Sequence, residues 1–149
     1  MATTPIRPQI DTLRWREVDV LDYKRDTSAP FRDVTRQVLF DQPSLACQLR
    51  YFEVGPGGHT TLERHEHAHA VVIERGRGRV LVGDAIHDLA PHDLVHVPPM
   101  TWHQFVAAAD TPLGFLCMVN ATRDRPQLPT AEDLARLRAD PAIAAFVRT

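Results

Sequence analysis

The chain has 149 residues, which is about the length of one ordinary domain, so we expect one folded domain rather than two. Hydrophobic residues make up 44% and charged residues 24%, values typical of globular proteins that argue against bulk disorder and against a coiled coil. The net charge of -2 gives no electrostatic basis for binding nucleic acid. No stretch approaches the roughly eighteen apolar residues of a membrane span, and the N-terminus lacks an apolar signal region.

These properties predict a cytoplasmic protein that associates with neither nucleic acid nor a membrane. The two cysteines, Cys47 and Cys117, each lie inside an apolar run. Unpaired cysteine is among the most buried residue types, and disulfides are rare in reducing compartments. We therefore expect both cysteines to be buried free thiols.

In chain order, residues 1–33 come first; they are punctuated by proline and mixed in charge. This pattern predicts an N-terminal arm with one short strand around Trp15 to Val20. Residues 34–122 follow with seven short β-rich runs at roughly 8 to 12 residue spacing, separated by turns rich in Pro, Gly and Asp. Such spacing is typical of an antiparallel sandwich or barrel.

Residues 123–149 change from strand signals to helix signals. After a connector, Thr130 precedes AEDLARLRAD as a helix N-cap, and Asp140 followed by proline is typical of a second helix start. We therefore expect an all-β domain that is closed by one or two short C-terminal helices.

The eight histidines all fall between His59 and His103, and the segment ERHEHAH at residues 63–69 alternates polar groups that would share one face of a strand. A straight strand would place Glu63 and His69 roughly 20 Å apart at about 3.4 Å per residue. Metal ligands must instead reach within about 2.0 to 2.3 Å of one ion. A metal site here requires the chain to reverse, and we expect the reversal at residues 66–68.

The spacing of this segment resembles the first motif of the cupin family, G(X)5HXH(X)3-4E(X)6G. The matching positions are Gly57, Glu63, His65, His69 and Gly76, with the family's first histidine and its glutamate exchanged. The second motif, G(X)5PXG(X)2H(X)3N, is met in PHDLVHVPPMTWHQFVAAA by its proline, Pro98, and its histidine, His103, without the glycines or the asparagine. The resemblance implies a double-stranded β-helix, or jelly-roll barrel, over about residues 40–120.

The resemblance also implies a divalent transition metal ion in the barrel mouth: Fe, Mn, Ni, Cu or Zn. The implied ligands are Glu63, His65, His69 and His103. His67 lies in the expected reversal as a solvated residue, or becomes a ligand in place of Glu63 if the register of the reversal shifts. The other four histidines, His59, His87, His92 and His96, are expected to be ordinary solvated side chains. Four side chains near the motifs are candidates for an apolar substrate pocket beside the metal: Tyr51, Trp102, Phe105 and Met118.

Three function classes follow. The first is a metal-dependent oxidoreductase of the dioxygenase type, in which the ion binds a small organic substrate and activates oxygen. The second is an isomerase, lyase or hydrolase that uses the ion as a Lewis acid. The third is a non-catalytic small-ligand-binding module, because fold does not fix function. The resemblance further implies a homodimer, in which the N-terminal arm could supply an exchanged strand.

Overall fold

The computed structural model describes residues 5–24 and 29–149; residues 1–4 and 25–28 of the expected arm lie outside the described residues. The described strands are β1 (Gln9–Asp11), β2 (Arg14–Trp15), β3 (Leu21–Asp22), β4 (Arg32–Asp41), β5 (Cys47–His59), β6 (His69–Gly76), β7 (Gly78–Val82), β8 (Ala85–Leu89), β9 (Leu94–Val97), β10 (His103–Ala107) and β11 (Leu113–Asn120). Two helices follow, α1 (Ala131–Leu137) and α2 (Pro141–Phe146).

Nine of these strands form one curled antiparallel sheet. Its main path runs β8-β7-β10-β5-β11-β6-β9, with β4 on β5 and β3 on β4, while β1 and β2 pair separately. The thirteen-residue β5 is long enough to pair with β4, β10 and β11, so it connects the parts of the sheet. The all-β jelly-roll prediction, with short C-terminal helices, is confirmed.

The core lies on the concave face of the sheet, where aromatic side chains from three strands meet. The Phe115 ring stacks on Phe52 with a centroid distance of 5.5 Å and on Phe105 with a centroid distance of 4.6 Å. All three are buried with the aliphatic residues around them. The cavity described below opens beside this aromatic layer.

Two expected boundaries differ from the observed ones. The segment GPGGH has the Pro- and Gly-rich composition that was expected to mark a turn, yet it continues β5 to His59, because Gly57 adopts a φ of +72° and keeps its N–H bonded to the Ala108 carbonyl at 2.8 Å. In the arm, the expected strand near Trp15 is only the two-residue β2, and residues 18–20 lie between β2 and β3.

The C-terminal helices pack on the outside of the sheet as a second core. Ile143 and Phe146 of α2 are buried there with Leu62 and Leu81. Gln104 is fully buried, and its amide bonds both the Thr60 carbonyl and the backbone of residue 148, which fixes the end of the chain to the barrel. In the ranges 5–24 and 29–149, no helix has the length and apolar character needed to cross a bilayer.

Candidate metal centre and cavity

Three imidazoles converge at the mouth of the barrel. His65 follows β5, His69 is the first residue of β6 and His103 is the first residue of β10. Their possible ligand atoms all lie within 4.8 Å of one another, and the Nε2 atoms of His65 and His69 are 2.9 Å apart. The chain bends at residues 66 and 67, which is the reversal that brings His65 and His69 together.

The other ring nitrogen of each histidine faces a partner within the protein. Nδ1 of His65 lies 2.7 Å from the backbone carbonyl of residue 67, and Nδ1 of His103 lies 2.9 Å from that of residue 101. A carbonyl can only accept, so both Nδ1 atoms donate and both Nε2 atoms keep a free lone pair. Nδ1 of His69 lies 3.0 Å from Sγ of Cys117. Contacts of this kind orient metal-binding histidines in proteins.

Burial keeps these rings neutral. Burial, with the neighbouring rings of His103 and His67, lowers the pKa of His65 to about 4. Burial likewise lowers the pKa of His103, and burial together with the other rings lowers that of His69 far below its usual value. Neutral imidazoles are the form that binds a metal ion. The three nitrogen donors therefore fit a divalent transition metal ion.

Glu63 lies beside this triad without belonging to the converging group. Its backbone bridges to that of His103 in both directions, which fixes the segment before His65. Its side chain is occupied elsewhere, because Oε2 accepts a hydrogen bond from Nζ of Lys24 at 2.5 Å. Glu63 as a fourth ligand stays a prediction, and coordination would require Oε2 to leave the ammonium group.

His67 is buried, although the sequence suggested a solvated turn residue. Its ring stacks on that of His65 with a centroid distance of 3.6 Å and an interplanar angle of 1°. Nδ1 of His67 lies 2.7 Å from Asp124, whose carboxylate also accepts the backbone N–H groups of Glu66 and His67. These bonds hold the bend, so the ring supports His65 and is not part of the converging triad.

The other four histidines lie apart from the triad. His87, His92 and His96 are exposed, and His59 is half-buried with its Nδ1 2.9 Å from the adjacent carbonyl.

A cavity of about 220 Å³ opens from the triad into the barrel. Its wall includes Phe105, as expected from the sequence, together with Phe52 and Phe115. Cys117 also lies in this wall; it is buried, and burial raises the pKa of its thiol. Its Sγ atom is 3.8 Å from Nη2 of Arg50. The cavity therefore combines a histidine triad, a thiol and a guanidinium group.

The other three residues expected in the pocket lie outside its wall. Side chains alternate along a strand, and Arg50 and Phe52 face the cavity, so Tyr51 between them faces the other way and contacts Trp15. On β11, the same alternation turns Met118 outward, where 49% of it is exposed. Trp102 precedes β10 and packs under the guanidinium group of Arg64, at 4.5 Å.

The expected pocket set did not include several polar residues of the wall: Tyr23, Lys24, Arg36, Arg50, Cys117, Arg123 and Asp124. Cys117 faces the cavity because β11 pairs it in register with Arg50 of β5 and Val71 of β6, a long-range pairing that the local sequence does not specify. Burial raises the pKa of Tyr23 well above its usual value, so its hydroxyl stays protonated at neutral pH.

Known proteins resemble nearly the whole chain. A family model described as the cupin domain matches residues 50–119. A protein from Rhodospirillum rubrum, named 1-methylthio-D-xylulose 5-phosphate methylsulfurylase, is 63% identical over 143 residues, which cover 96% of this chain and 92% of the relative. The crystal structure of a cupin 2 conserved barrel domain protein from Rhodopseudomonas palustris is 60% identical with a TM-score of 0.92, covering 97% of this chain and 99% of that one. A cupin 2 domain-containing protein from Halorhodospira halophila is 43% identical with a TM-score of 0.75, covering 95% and 92%.

Proposed function

Because this chain belongs to the cupin family, with a histidine triad in its barrel, we propose that it is a metal-dependent enzyme that removes the methylthio group from a methylthio-ketopentose phosphate. The observation that carries the proposal is the 63% identity, over 96% of the chain, to a protein named for that substrate. This chemistry shares the use of the ion as a Lewis acid with the second class considered from sequence, but it is a reduction by thiol rather than an isomerase, lyase or hydrolase reaction.

The cavity supports the proposal because it contains a sulfur nucleophile. Cys117 lies 3.0 Å from Nδ1 of His69. When Nε2 of His69 is the ligand atom, the ring proton lies on Nδ1 and is donated to Sγ, which favours the thiolate form. The guanidinium group of Arg50 at 3.8 Å favours the same form, and so acts against the effect of burial.

The proposed reaction transfers the methylthio group in two steps, first to Cys117 and then to a free thiol. The thiolate of Cys117 attacks the sulfur of the substrate's methylthio group, a new S–S bond forms, and the C–S bond breaks with its electron pair left on carbon 1. That carbon lies next to the carbonyl, which delocalises the pair, and it then takes up a proton to give the 1-deoxy sugar phosphate. A second thiol, free in solution, attacks the methyl disulfide and restores Cys117. The thiol is the reductant, and the methylthio group leaves on it.

His65, His69 and His103 would hold a divalent metal ion, and that ion would supply Lewis-acid polarisation of the carbonyl next to the C–S bond. The protein's own contribution is to hold the three imidazoles neutral and oriented through their Nδ1 contacts. The aromatic layer of Phe52, Phe105 and Phe115 excludes bulk water from the cavity.

The experiment is an anaerobic assay of 1-methylthio-D-xylulose 5-phosphate with a small-molecule thiol. We expect the 1-deoxy sugar phosphate to accumulate with wild type and with Cys47→Ser, since Cys47 lies outside the cavity wall, and not with Cys117→Ser. Absence of product with metal-loaded wild type would overturn the proposal. Dioxygenase activity stays a prediction, and consumption of oxygen by the same protein would favour it instead.

A further inference from the structure

We propose that Arg36, Arg50 and Arg123 form an anion subsite of the cavity that binds the phosphate group of a phosphate monoester. All three arginines line the cavity. The inference deepens the proposed function and rests on it only for the identity of the sugar, because the charge of the subsite can be tested with inorganic phosphate alone.

Three separate elements place these arginines together. Arg36 lies on β4, opposite Phe52, and Arg50 lies on β5. Arg123 follows β11, and its Nη1 donates to Oε1 of Gln48 and to the backbone carbonyl of Asn120, both at 2.9 Å. These two bonds from one nitrogen hold the guanidinium group of Arg123, which lines the cavity, and leave the donors of Nη2 and Nε available to an anion.

Arg50 is buried, and within the described part of the chain no carboxylate pairs with it. Only 8% of the residue is exposed, and its Nε atom has no hydrogen-bond partner. Its Cζ atom lies 4.9 Å from the centroid of the Phe52 ring. Within residues 5–24 and 29–149, no acidic side chain forms an ion pair with Arg50 or with Arg123. Burying a guanidinium group in this way is costly unless an anion compensates it.

Among the described residues, two carboxylates line the cavity, and both are engaged with other groups. Glu63 accepts a hydrogen bond from Lys24, and Asp124 accepts hydrogen bonds at the bend before His69. The arginines also act on one another: burial, then Arg50 and Arg36, lowers the pKa of Arg123. A dianionic phosphate would relieve that repulsion, and its oxygens suit the planar donor pairs of guanidinium groups.

The cavity therefore has two functional ends, the histidine triad at one and the arginines at the other. The thiol of Cys117 lies between them, with Sγ 3.0 Å from His69 and 3.8 Å from Arg50. A sugar phosphate whose phosphate contacts Arg36 and Arg123 would extend past this thiol to the histidine triad. The subsite thus selects phosphorylated substrates and sets which end of the sugar meets the metal centre.

The test is titration calorimetry of wild type, Arg123→Gln and Arg77→Gln with inorganic phosphate, D-xylulose 5-phosphate and D-xylulose. Arg77 is the matched control, because it is an exposed arginine paired with Asp110 outside the cavity. Each titration is repeated on metal-stripped protein, which separates binding at the arginines from binding to a metal ion. Arg36→Gln is a second variant that tests the subsite independently if Arg123→Gln does not fold.

We expect wild type and Arg77→Gln to bind phosphate and D-xylulose 5-phosphate with or without metal, and Arg123→Gln to bind both at least about tenfold more weakly. D-Xylulose should bind wild type at least about tenfold more weakly than its 5-phosphate. Equal affinities in wild type and Arg123→Gln, or phosphate binding that disappears with the metal, would overturn the subsite. If binding follows the expectation but the methylthio substrate is not turned over, the subsite stands and the proposed function fails.

Discussion

Nδ1 of His69 is the atom through which the histidine triad and the thiol of Cys117 meet. The ring lies between them, so its two nitrogens serve two groups: Nε2 faces the other triad histidines and Nδ1 lies 3.0 Å from Sγ. A ligand histidine elsewhere usually donates its second nitrogen to a carbonyl or a carboxylate. Here that partner is a thiol, so under the proposed function one ring would couple metal binding to thiol reactivity.

At this scale the first prediction concerns the ligands. His65→Ala and His103→Ala each remove one of three converging nitrogens, so metal affinity should fall by at least about tenfold. Elemental analysis of the purified variants measures it. His87→Ala is the control because this histidine is exposed, and it should retain the metal content of wild type. Full metal occupancy in His103→Ala would contradict the triad.

The triad could be predicted from sequence because it depends on local spacing around residues 63–69, together with one motif at His103. The thiol could not be assigned to the site in this way. Cys117 faces the cavity because β11 pairs in register with both β5 and β6, and a one-residue slip would turn it outward. Long-range register of this kind is not written in the local sequence.

At the scale of elements, the two glycines that begin and end the first motif both have a positive φ, but their surroundings differ. Gly57 has a φ of +72° with open space around it. Gly76 has a φ of +81°, and a Cβ there would collide with the Pro112 carbonyl. The motif spacing identified both positions in the sequence, whereas the close approach of Gly76 to the Pro112 carbonyl is seen only in the structure.

We expect Gly57→Ala to lower the free energy of unfolding by about 1 kcal/mol, the cost of a side chain in this backbone region. Gly76→Ala should cost about 3 kcal/mol, because the backbone near Pro112 must also shift. Urea denaturation measures both. Equal losses in the two variants would show that the collision is relieved without cost.

The start of α1 gives a pH-dependent prediction. Asp133 accepts hydrogen bonds from the N–H and hydroxyl groups of Thr130, each at 2.9 Å, in a capping box. The backbone bond from Thr130 is the main cause that lowers the pKa of this carboxyl in the folded state. Its stabilisation is therefore present above the unfolded-state value of about 3.9 and is lost as the pH falls through the lower folded-state value.

Thermal unfolding of wild type and Asp133→Asn over pH 7 to 2 tests this. The difference in unfolding temperature should be largest at neutral pH and should shrink toward the acid end. A difference that stays constant with pH would mean that the charge of Asp133 does not contribute.

At the scale of the whole molecule, the all-β class and the two closing helices followed from turn spacing and cap residues in the sequence, although β4 to β11 make eight strands where seven runs were expected. Of the four residues expected in the cavity wall, Phe105 lies there, and two of the others occupy the wrong phase of their strands. Tyr51 and Met118 illustrate this: each is one residue from a cavity-facing side chain.

The homodimer stays a prediction, and the arm suggests where to test it. Ile6 and Ile10 are 72% and 62% exposed on this arm. We expect light scattering to give a dimer for wild type and a shift toward monomer for the double variant Ile6→Asp, Ile10→Asp. Leu94→Asp is the control, since Leu94 is equally exposed on β9. A wild-type monomer at all concentrations would rule the dimer out.

We propose that the thiol of Cys117 takes the methylthio group from a sugar phosphate. The most direct test of this step is mass spectrometry of metal-loaded protein mixed anaerobically with one equivalent of 1-methylthio-D-xylulose 5-phosphate and no free thiol. We expect one methylthio group on Cys117, none on Cys47, and an equal amount of 1-deoxy sugar phosphate. An unmodified Cys117 in a sample that has formed the product would contradict it.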